Sequence, residues 1–350
     1  MEGKYFMMML NKTKKYLYGR LKSSVLVRKM IKNPKLSNLY LTEIFLDRRI
    51  EKVNNNLLTL PPKLILENTN ICNAACIMCP YEKMTRKKGV MSFELFKKIV
   101  DEYSTSTHTK RLQMNNIGEP LLDPLIVKKI KYAKEKGIDQ VFFFTNGSLL
   151  DKQISEELID SELNYMVISL DGITKKTYEK VRVNLKFGDV INNIKNFLVL
   201  REKNGSDKPK IELHITLLNE NRRDEKEFIK KMKNMVDYVS VTYAHDWAGQ
   251  QEAKNIEYVQ KSHQMKLAPC SNLWSELTIL WDGHVALCCM DYEGKVILGD
   301  ISKETLQNVW SSEKLQKIRE YQLKRQFDQI ELCKRCNEHS WANWWLDYWD

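Results

Sequence analysis

The sequence feature that most constrains the fold is an alternation of short apolar runs and longer amphipathic stretches between Pro62 and Tyr243. The longer stretches carry apolar residues at helical spacing, as in Phe93, Phe96 and Val100. Six units of strand followed by helix predict a parallel sheet with right-handed crossovers, and six fall short of the eight that close a full barrel. We therefore predict an α/β fold, a partial (β/α)6 TIM-like barrel, with strands at residues 64–67, 112–115, 140–144, 165–170, 211–217 and 238–242.

Three parts of the chain are expected from the change of pattern along it. They are a basic, mostly helical N-terminal arm at 1–60, a barrel core at 61–247 and a small C-terminal domain with an aromatic tail at 248–350. Ligands of such a barrel bind on the loops that follow the carboxyl ends of the strands. The C-terminal part is predicted to contain a linker, a hairpin at 277–281 and 284–288 around Asp282-Gly283, a glycine-punctuated loop and a helix near 305–321. The tryptophan-rich tail at 341–349 is expected to pack on the domain, and a cap over the barrel mouth is the alternative.

The net charge of +11 is concentrated at the start of the chain. Residues 1–60 hold 13 Lys and Arg against 4 Asp and Glu, which accounts for nine of the eleven excess positive charges. A basic amphipathic arm is compatible with peripheral contact with an anionic membrane surface. A solvated helical arm packed on the barrel explains the same pattern. Because the remaining residues are near neutral, the charge indicates no specific nucleic-acid partner.

The compartment is inferred from the apolar runs and the cysteines. No apolar run reaches the roughly 18–20 residues that cross a bilayer, and lysines follow the apolar start where a secretory signal would have a cleavage site. A cytoplasmic location is therefore expected, and eight cysteines there favour metal or redox chemistry over disulfide bonds. They form two distant groups: Cys72, Cys76 and Cys79, then Cys270, Cys288, Cys289, Cys333 and Cys336.

The first cysteine group, Cys72-x-x-x-Cys76-x-x-Cys79, directly follows the first predicted strand. Three thiolates on one loop can hold three irons of a 4Fe–4S cluster and leave the fourth iron free to bind a cofactor. Zinc is the alternative, although three cysteines without a nearby histidine are an incomplete tetrahedral set. The motif resembles that of the radical S-adenosylmethionine (radical SAM) superfamily, whose partial barrel agrees with the strand count. The resemblance covers residues 62–245.

The resemblance extends to short motifs at successive strand ends, and it implies how S-adenosylmethionine (SAM) is bound. Gly118 and Glu119 follow the second strand and would receive the amino group of the methionine moiety. A charge-assisted hydrogen bond to a carboxylate is the physical reason for an acid there. Thr145 and Asn146 follow the third strand, where they would orient the cofactor.

The fourth predicted strand ends in Ser169-Leu170-Asp171-Gly172. Residues two apart in a strand share a face, so Ser169 and Asp171 are expected to point together at the ribose hydroxyls or the carboxylate of SAM. Arg182 is the candidate partner for that carboxylate. The contacts to adenine are left unassigned, and His214 is expected to be a strand residue with satisfied hydrogen bonds rather than a base.

The second cysteine group resembles a SPASM/twitch extension over residues 268–340, with a spacing similar to that of 2-deoxy-scyllo-inosamine dehydrogenase-like members. This resemblance implies that Cys270, Cys288, Cys333 and Cys336 hold one auxiliary 4Fe–4S cluster. Four thiolates saturate such a cluster, which then suits electron transfer. Structural zinc remains the alternative for a four-cysteine set. Cys289 is left over as an inert thiol, an alternative ligand or a hydrogen-atom donor.

The implied function is that of a radical SAM oxidoreductase. SAM is cleaved reductively to a 5′-deoxyadenosyl radical, which abstracts hydrogen from a hydroxyl-bearing small molecule such as a sugar or cyclitol, with the auxiliary cluster as electron acceptor. Whether the outcome is dehydrogenation, epimerisation or dehydration stays open. The candidate catalytic residues are Tyr243, His245 and Asp246, just past the sixth predicted strand, together with Cys289.

Two further expectations concern partners. A flavodoxin or ferredoxin would supply the electron that cleaves SAM. A peptide- or protein-modifying SPASM maturase is the alternative function, but residues 1–60 show no clear strand pair for a winged-helix peptide-recognition element. A non-catalytic iron–sulfur or zinc scaffold is the third reading, and it predicts no 5′-deoxyadenosine.

Overall fold

The computed structural model describes residues 54, 57–251 and 269–336. Most of the predicted N-terminal arm, most of the predicted linker and the whole tryptophan-rich tail lie outside these residues. None of the described helices is long and apolar enough to cross a membrane.

The described residues form one nine-stranded sheet of order β6-β5-β4-β3-β2-β1-β7-β8-β9. Strands β1 to β6 are all parallel. Six parallel strands with helices between them confirm the predicted α/β partial barrel. The strands are β1 (Lys63–Leu66), β2 (Arg111–Gln113), β3 (Gln140–Thr145), β4 (Tyr165–Ser169), β5 (Lys210–Leu217), β6 (Tyr238–Tyr243), β7 (Glu276–Ile279), β8 (His284–Ala286) and β9 (Ile297–Asp300).

Helices follow the barrel strands, and several of them begin at a polar side-chain cap. The Oγ atom of Ser92 accepts from the N–H of Leu95 at 3.1 Å where the first helix begins, which satisfies one of the free donors of a helix start. The α-helices are α1 (Phe93–Ser104), α2 (Ile126–Glu135), α3 (Lys152–Ile159), α4 (Lys175–Val181), α5 (Phe187–Lys203), α6 (Glu225–Met232), α7 (Asn272–Ser275), α8 (Leu306–Trp310), α9 (Glu313–Leu323) and α10 (Glu331–Lys334). Short 3-10 helices lie at Pro80–Lys83, Pro120–Leu122, Arg222–Asp224 and Phe327–Gln329.

The C-terminal part joins the barrel sheet through β7, which pairs in parallel with β1. Lys63 faces Glu276 in this register, and the side chains form a 2.5 Å ion pair. Strands β8 and β9 then continue the sheet in antiparallel fashion. Cys288 and Cys289 come shortly after β8, so this extension of the sheet places part of the second cysteine group on the β1 side.

Two predictions for the C-terminal part were wrong in detail. The helix expected near 305–321 is two helices, α8 and α9, because the Oγ atom of Ser312 accepts from the N–H of Leu315 at 3.3 Å and starts a new helix. The residues after the hairpin were expected to form a loop, but 297–300 pair with β8 as β9. The predicted hairpin itself is present as β7 and β8.

Candidate active site

A cavity of about 600 Å³ opens at the carboxyl ends of the barrel strands. Its volume lies within the range of about 300–1,000 Å³ that is common for small-ligand sites. Twelve residues that were predicted from the sequence line it: Cys72, Cys76, Cys79, Gly118, Glu119, Thr145, Asn146, Ser169, Arg182, Tyr243, His245 and Cys289. The parallel arrangement of the strands brings these distant residues together, because all the strand ends meet at one edge.

The first cysteine loop is fixed at several backbone positions. The N–H of Ile77 donates to Val181 O at 3.1 Å, which joins the loop to the end of α4. Within the loop, the N–H of Cys79 donates to Cys76 O at 3.0 Å and closes a turn. Burial raises the pKa of Cys72 to about 11 and that of Cys79 to about 12. The three thiols share one wall of the cavity, and a cluster that binds there must displace their protons. This donor set fits an iron–sulfur cluster with one iron open to the cavity.

Gly118 holds the strand-end turn against this loop. Its φ of +102° is left-handed, and a Cβ atom here would lie 2.4 Å from Thr69 O. The next residue, Glu119, donates its N–H to Ile71 O at 2.8 Å. Only glycine combines this backbone angle with so close an approach. The turn and the cysteine loop therefore form one rigid unit.

The carboxyl group of Glu119 is buried and held by the end of β3. Its Oε1 atom accepts from Thr145 Oγ1 at 2.7 Å and from the N–H of Leu121 at 3.2 Å, and its Oε2 atom accepts from the N–H of Asn146 at 2.8 Å. Burial raises its pKa, although these hydrogen bonds oppose the shift. A carboxylate has about four acceptor sites, so these three donors leave room for one more. A buried carboxylate of this kind fits a cationic amino group.

Arg182 and Asp171 form a buried ion pair beside the cysteine loop. Arg182 donates from Nε to Asp171 Oδ2 at 2.6 Å and from a terminal nitrogen to Cys76 Sγ at 3.4 Å. Asp171 also accepts from the N–H of Thr216 at 2.6 Å. Asp171 does not line the cavity, which corrects the expectation that it points with Ser169 at the cofactor. The reason is that it lies past the end of β4, where both of its oxygens bond to protein.

The segment after β6 closes another side of the cavity. Tyr243 and His245 line it as predicted, but Asp246 does not. The Oδ1 atom of Asp246 accepts from the N–H of Gly249 at 2.9 Å, which turns the carboxyl group into the following bend. Burial lowers the pKa of His245 to about 4, so this side chain is neutral at pH 7.

Trp247 was not singled out from the sequence, although it also lines the cavity. Its φ of +52° is unusual for a bulky residue. Its indole N–H donates to the carbonyl of Met78, inside the first cysteine loop, at 2.9 Å, and its ring meets that of Tyr292 edge-on at 5.9 Å. Trp247 thus ties the first cysteine loop to the C-terminal part. No periodicity in the sequence indicates such a contact.

The second cysteine group separates into two environments. Burial raises the thiol pKa of Cys270 and Cys288 well above its usual value, and neighbouring thiols, including those of Cys333 and Cys336, add to the shift. None of these four residues lines the cavity, whereas Cys289 does. The side-chain amide of Asn272 donates to Cys289 Sγ at 3.7 Å. Cys333 and Cys336 are buried, and Cys270 and Cys288 are half-buried. All four lie off the cavity wall, and four thiolates suit a cluster with no open iron.

The fold and these two cysteine sites define the class of protein. Residues 66–232 match the family model of the radical SAM superfamily, and residues 270–337 match SPASM, an iron–sulfur cluster-binding domain. The chain therefore contains a radical SAM domain followed by a SPASM domain. It accordingly binds SAM, a 4Fe–4S cluster and an auxiliary iron–sulfur cluster. The description of the SPASM family decides between iron and zinc in favour of iron.

Known proteins resemble the chain over different lengths. S-adenosyl-L-methionine-dependent 2-deoxy-scyllo-inosamine dehydrogenase of Niallia circulans is 23% identical and aligns with 79% of this chain and 92% of its own. A tungsten-containing aldehyde ferredoxin oxidoreductase cofactor-modifying protein of Pyrococcus furiosus is 27% identical over 49% of this chain, and the match spans only 48% of that relative.

Two solved structures share the fold at low identity. BtrN in complex with AdoMet and 2-DOIA superposes with a TM-score of 0.53 at 17% identity, and covers 79% of this chain and 93% of its own. Streptococcus suis SuiB bound to precursor peptide SuiA gives a TM-score of 0.61 at 16% identity, and covers 86% of this chain and 77% of its own.

Proposed function

We propose that the chain is a radical SAM oxidoreductase that removes hydrogen from a hydroxyl-bearing small molecule, of the sugar or cyclitol kind, and oxidises it with the auxiliary cluster as electron acceptor. The observation that carries the proposal is the composition of the cavity wall. Cys72, Cys76 and Cys79 line the same cavity as Cys289, the neighbour of Cys288 in the second cysteine group. A substrate in this cavity contacts the walls built by both iron–sulfur regions.

Cys72, Cys76 and Cys79 are the proposed ligands of the cluster that binds SAM. Glu119 would accept the ammonium group of the methionine moiety, because its buried carboxyl group has an acceptor site left. Arg182 would pair with the carboxylate of SAM. When bound, SAM and the reduced cluster supply a 5′-deoxyadenosyl radical.

Thr145 and Asn146 have a positioning role in this scheme, since they donate to the carboxyl group of Glu119. Asp171 positions Arg182 in the same way. Ser169 lines the cavity at the end of β4, where it is placed to contact the ribose hydroxyls of SAM. In this scheme Glu119, Arg182 and Ser169 contact SAM. The positioning residues are Thr145, Asn146 and Asp171, which hold Glu119 and Arg182 in place.

Cys270, Cys288, Cys333 and Cys336 are the proposed ligands of the auxiliary cluster. None of the four lines the cavity, and four thiolates leave no iron open, which suits electron transfer over ligation of substrate. Support for oxidation of a small molecule comes from the relative that aligns along most of both chains, since its name describes a dehydrogenase that acts on an inosamine. A flavodoxin or ferredoxin is the proposed external reductant.

The test uses the anaerobically reconstituted chain with dithionite, SAM and 2-deoxy-scyllo-inosamine as probe, with a panel of other aminocyclitols and sugars in parallel. We expect about eight irons per chain, 5′-deoxyadenosine, and a product that has lost two hydrogens in about equal amount. The Cys76→Ala variant should form neither compound. A loaded chain that forms no 5′-deoxyadenosine with any probe would contradict the proposal.

A peptide substrate is the second candidate, because the fold is also that of SuiB bound to its precursor peptide. The same assay distinguishes the two. Oxidation of an alcohol in the panel supports the leading proposal. SAM cleavage that is stimulated only by a peptide encoded beside the gene would favour a maturase.

A further inference from the structure

A polar network crosses from β5 to β6 beside the cavity, and His214 lies at its centre. The Nδ1 atom of His214 is 2.7 Å from Ser240 Oγ, and its Nε2 atom is 2.9 Å from Thr242 Oγ1. Behind Ser240, the Oε1 atom of Glu212 accepts from the serine hydroxyl. His214 and Thr242 both line the cavity. The network thus leads from a carboxyl group, through a serine, to a histidine on the cavity wall.

The direction of these hydrogen bonds determines which nitrogen of His214 carries the proton. A serine hydroxyl has one hydrogen, and Ser240 donates it to Glu212. Its oxygen can therefore only accept from His214, so Nδ1 is the protonated nitrogen. In a neutral imidazole the other nitrogen is then an acceptor. The Nε2 atom of His214 thus presents a lone pair, which accepts from Thr242 in the absence of another donor.

Burial keeps His214 neutral, and the charged groups around it act in both directions. Burial lowers its pKa, and Arg182 acts in the same direction, while Asp171 and Glu212 oppose the shift. These groups come from the loop after β4, from the end of α4 and from β5 itself. A neutral imidazole whose second nitrogen is an acceptor is the form that can take a proton at neutral pH.

We propose that the Nε2 atom of His214 accepts the hydroxyl proton of the substrate radical, with Ser240 and Glu212 as the groups that hold the basic nitrogen towards the cavity. The inference rests on the proposed oxidation. After hydrogen abstraction the substrate is a carbon radical that bears a hydroxyl group. The O–H bond would break, its proton would go to Nε2 and a C=O bond would form. The oxidised auxiliary cluster that Cys270, Cys288, Cys333 and Cys336 would hold is the acceptor that would take the remaining electron.

Two threonines show that a hydroxyl group fits at this nitrogen. The hydroxyl of Thr242 lies 2.9 Å and that of Thr216 lies 3.3 Å from Nε2. A substrate hydroxyl would take the place of one of them at the same distance. The cation formed at His214 would face the carboxyl groups of Glu212 and Asp171. The network therefore suits both the neutral and the protonated state of the histidine.

The first test reads the tautomer directly and needs no substrate. In 15N-histidine-labelled holoenzyme, the His214 signals are assigned with the His214→Gln variant and titrated with pH. We expect a neutral Nδ1–H tautomer at pH 7.5, and a shift towards Nε2–H in Ser240→Ala. The signals of His284, on the surface hairpin, serve as the internal control. An Nε2–H tautomer or a cation at pH 7.5 in the wild-type chain would overturn the inference.

The second test measures how hydrogen abstraction and oxidation are coupled, with the alcohol probe that the wild-type chain oxidises. A positioned base contributes about 10²–10⁴-fold, so His214→Gln should form 5′-deoxyadenosine while the ratio of oxidised product to 5′-deoxyadenosine falls at least tenfold. An unchanged ratio refutes the base and leaves the oxidation standing. Absence of 5′-deoxyadenosine from the wild-type chain would instead refute the proposed function, and the tautomer result would be unaffected.

Discussion

Arg182 and Asp171 are joined by a 2.6 Å hydrogen bond between Nε and Oδ2, and the same guanidinium reaches Cys76 Sγ at 3.4 Å. Burial alone would lower the pKa of Arg182, but Asp171 and Cys76 outweigh it and raise the pKa. Asp171, which does not line the cavity, thus fixes the orientation of Arg182, which does. The acid after β4 and the first cysteine loop are coupled through one side chain.

Asp171→Asn should weaken SAM binding about tenfold, because a hydrogen bond to a charged group is worth about 1.5–3 kcal/mol and Arg182 would lose its fixed orientation. Equilibrium dialysis of the iron-loaded variant measures this. The control is Asp151→Asn, which alters an aspartate that caps α3 away from the cavity. Its affinity for SAM should not change. Equal affinity in both variants would refute the coupling.

Gly118→Ala should abolish stable loading of the first cluster. A left-handed angle costs other residues about 1–3 kcal/mol, and here a Cβ atom would also lie 2.4 Å from a backbone oxygen that cannot move aside. Iron content and SAM binding are the measurements. Gly137→Ala is the matched control, since its φ is +75° and nothing lies within 4 Å of the added atom. It should lose a little thermal stability and keep its iron. Equal iron content in the two variants would contradict the clash.

Much of the site was predictable because parallel strands bring their ends together. Thr145 and Ser169 lie at the ends of β3 and β4, so a parallel sheet necessarily brings both residues to the same carboxyl-end edge. His214 shows the limit of this reasoning. In β5, Leu213 and Ile215 are buried, and His214 between them was expected to be a strand residue with satisfied hydrogen bonds rather than a base. In this open barrel the polar face of β5 lines a cavity. The alternation of apolar and polar residues predicts that one face of the strand is polar, but it does not show whether that face meets the cavity or the outer surface.

Glu67 connects the start of the barrel with the C-terminal part. Its two oxygens accept from Arg86 at 3.0 and 2.7 Å, and Arg86 also donates to Tyr292 O at 2.6 Å. Breaking a buried pair from one side costs about 3–5 kcal/mol. Glu67→Gln should therefore lower the midpoint of thermal unfolding by about 5 °C or more, as measured by calorimetry. Glu156→Gln, which breaks an exposed pair with Lys152, should shift it by about 1 °C or less. Similar shifts in the two variants would show that the Glu67–Arg86 pair stabilises the fold no more than the exposed pair does.

Cys288 and Cys289 are neighbours in sequence and should respond in opposite ways to replacement by serine. Cys288 lies off the cavity wall near the thiols of Cys270, Cys333 and Cys336, whereas Cys289 lines the cavity. Cys288→Ser should reduce iron from about eight to about four per chain, and should keep 5′-deoxyadenosine formation while the oxidised product disappears. The measurements are iron content and the two product yields.

Cys289→Ser is the matched control for that variant, and it also tests the fate of the substrate radical. If the radical is quenched by oxidation, this variant should keep about eight irons and the wild-type yield of oxidised product. A loss of iron would make Cys289 a cluster ligand. If its thiol instead returns a hydrogen atom to the substrate radical, the wild-type chain forms a redox-neutral product in place of the oxidised one. Cys289→Ser then loses that redox-neutral product with its iron retained, because the stronger O–H bond of serine cannot replace the thiol in that step. The reaction would then be redox-neutral, and His214 would have no proton to accept.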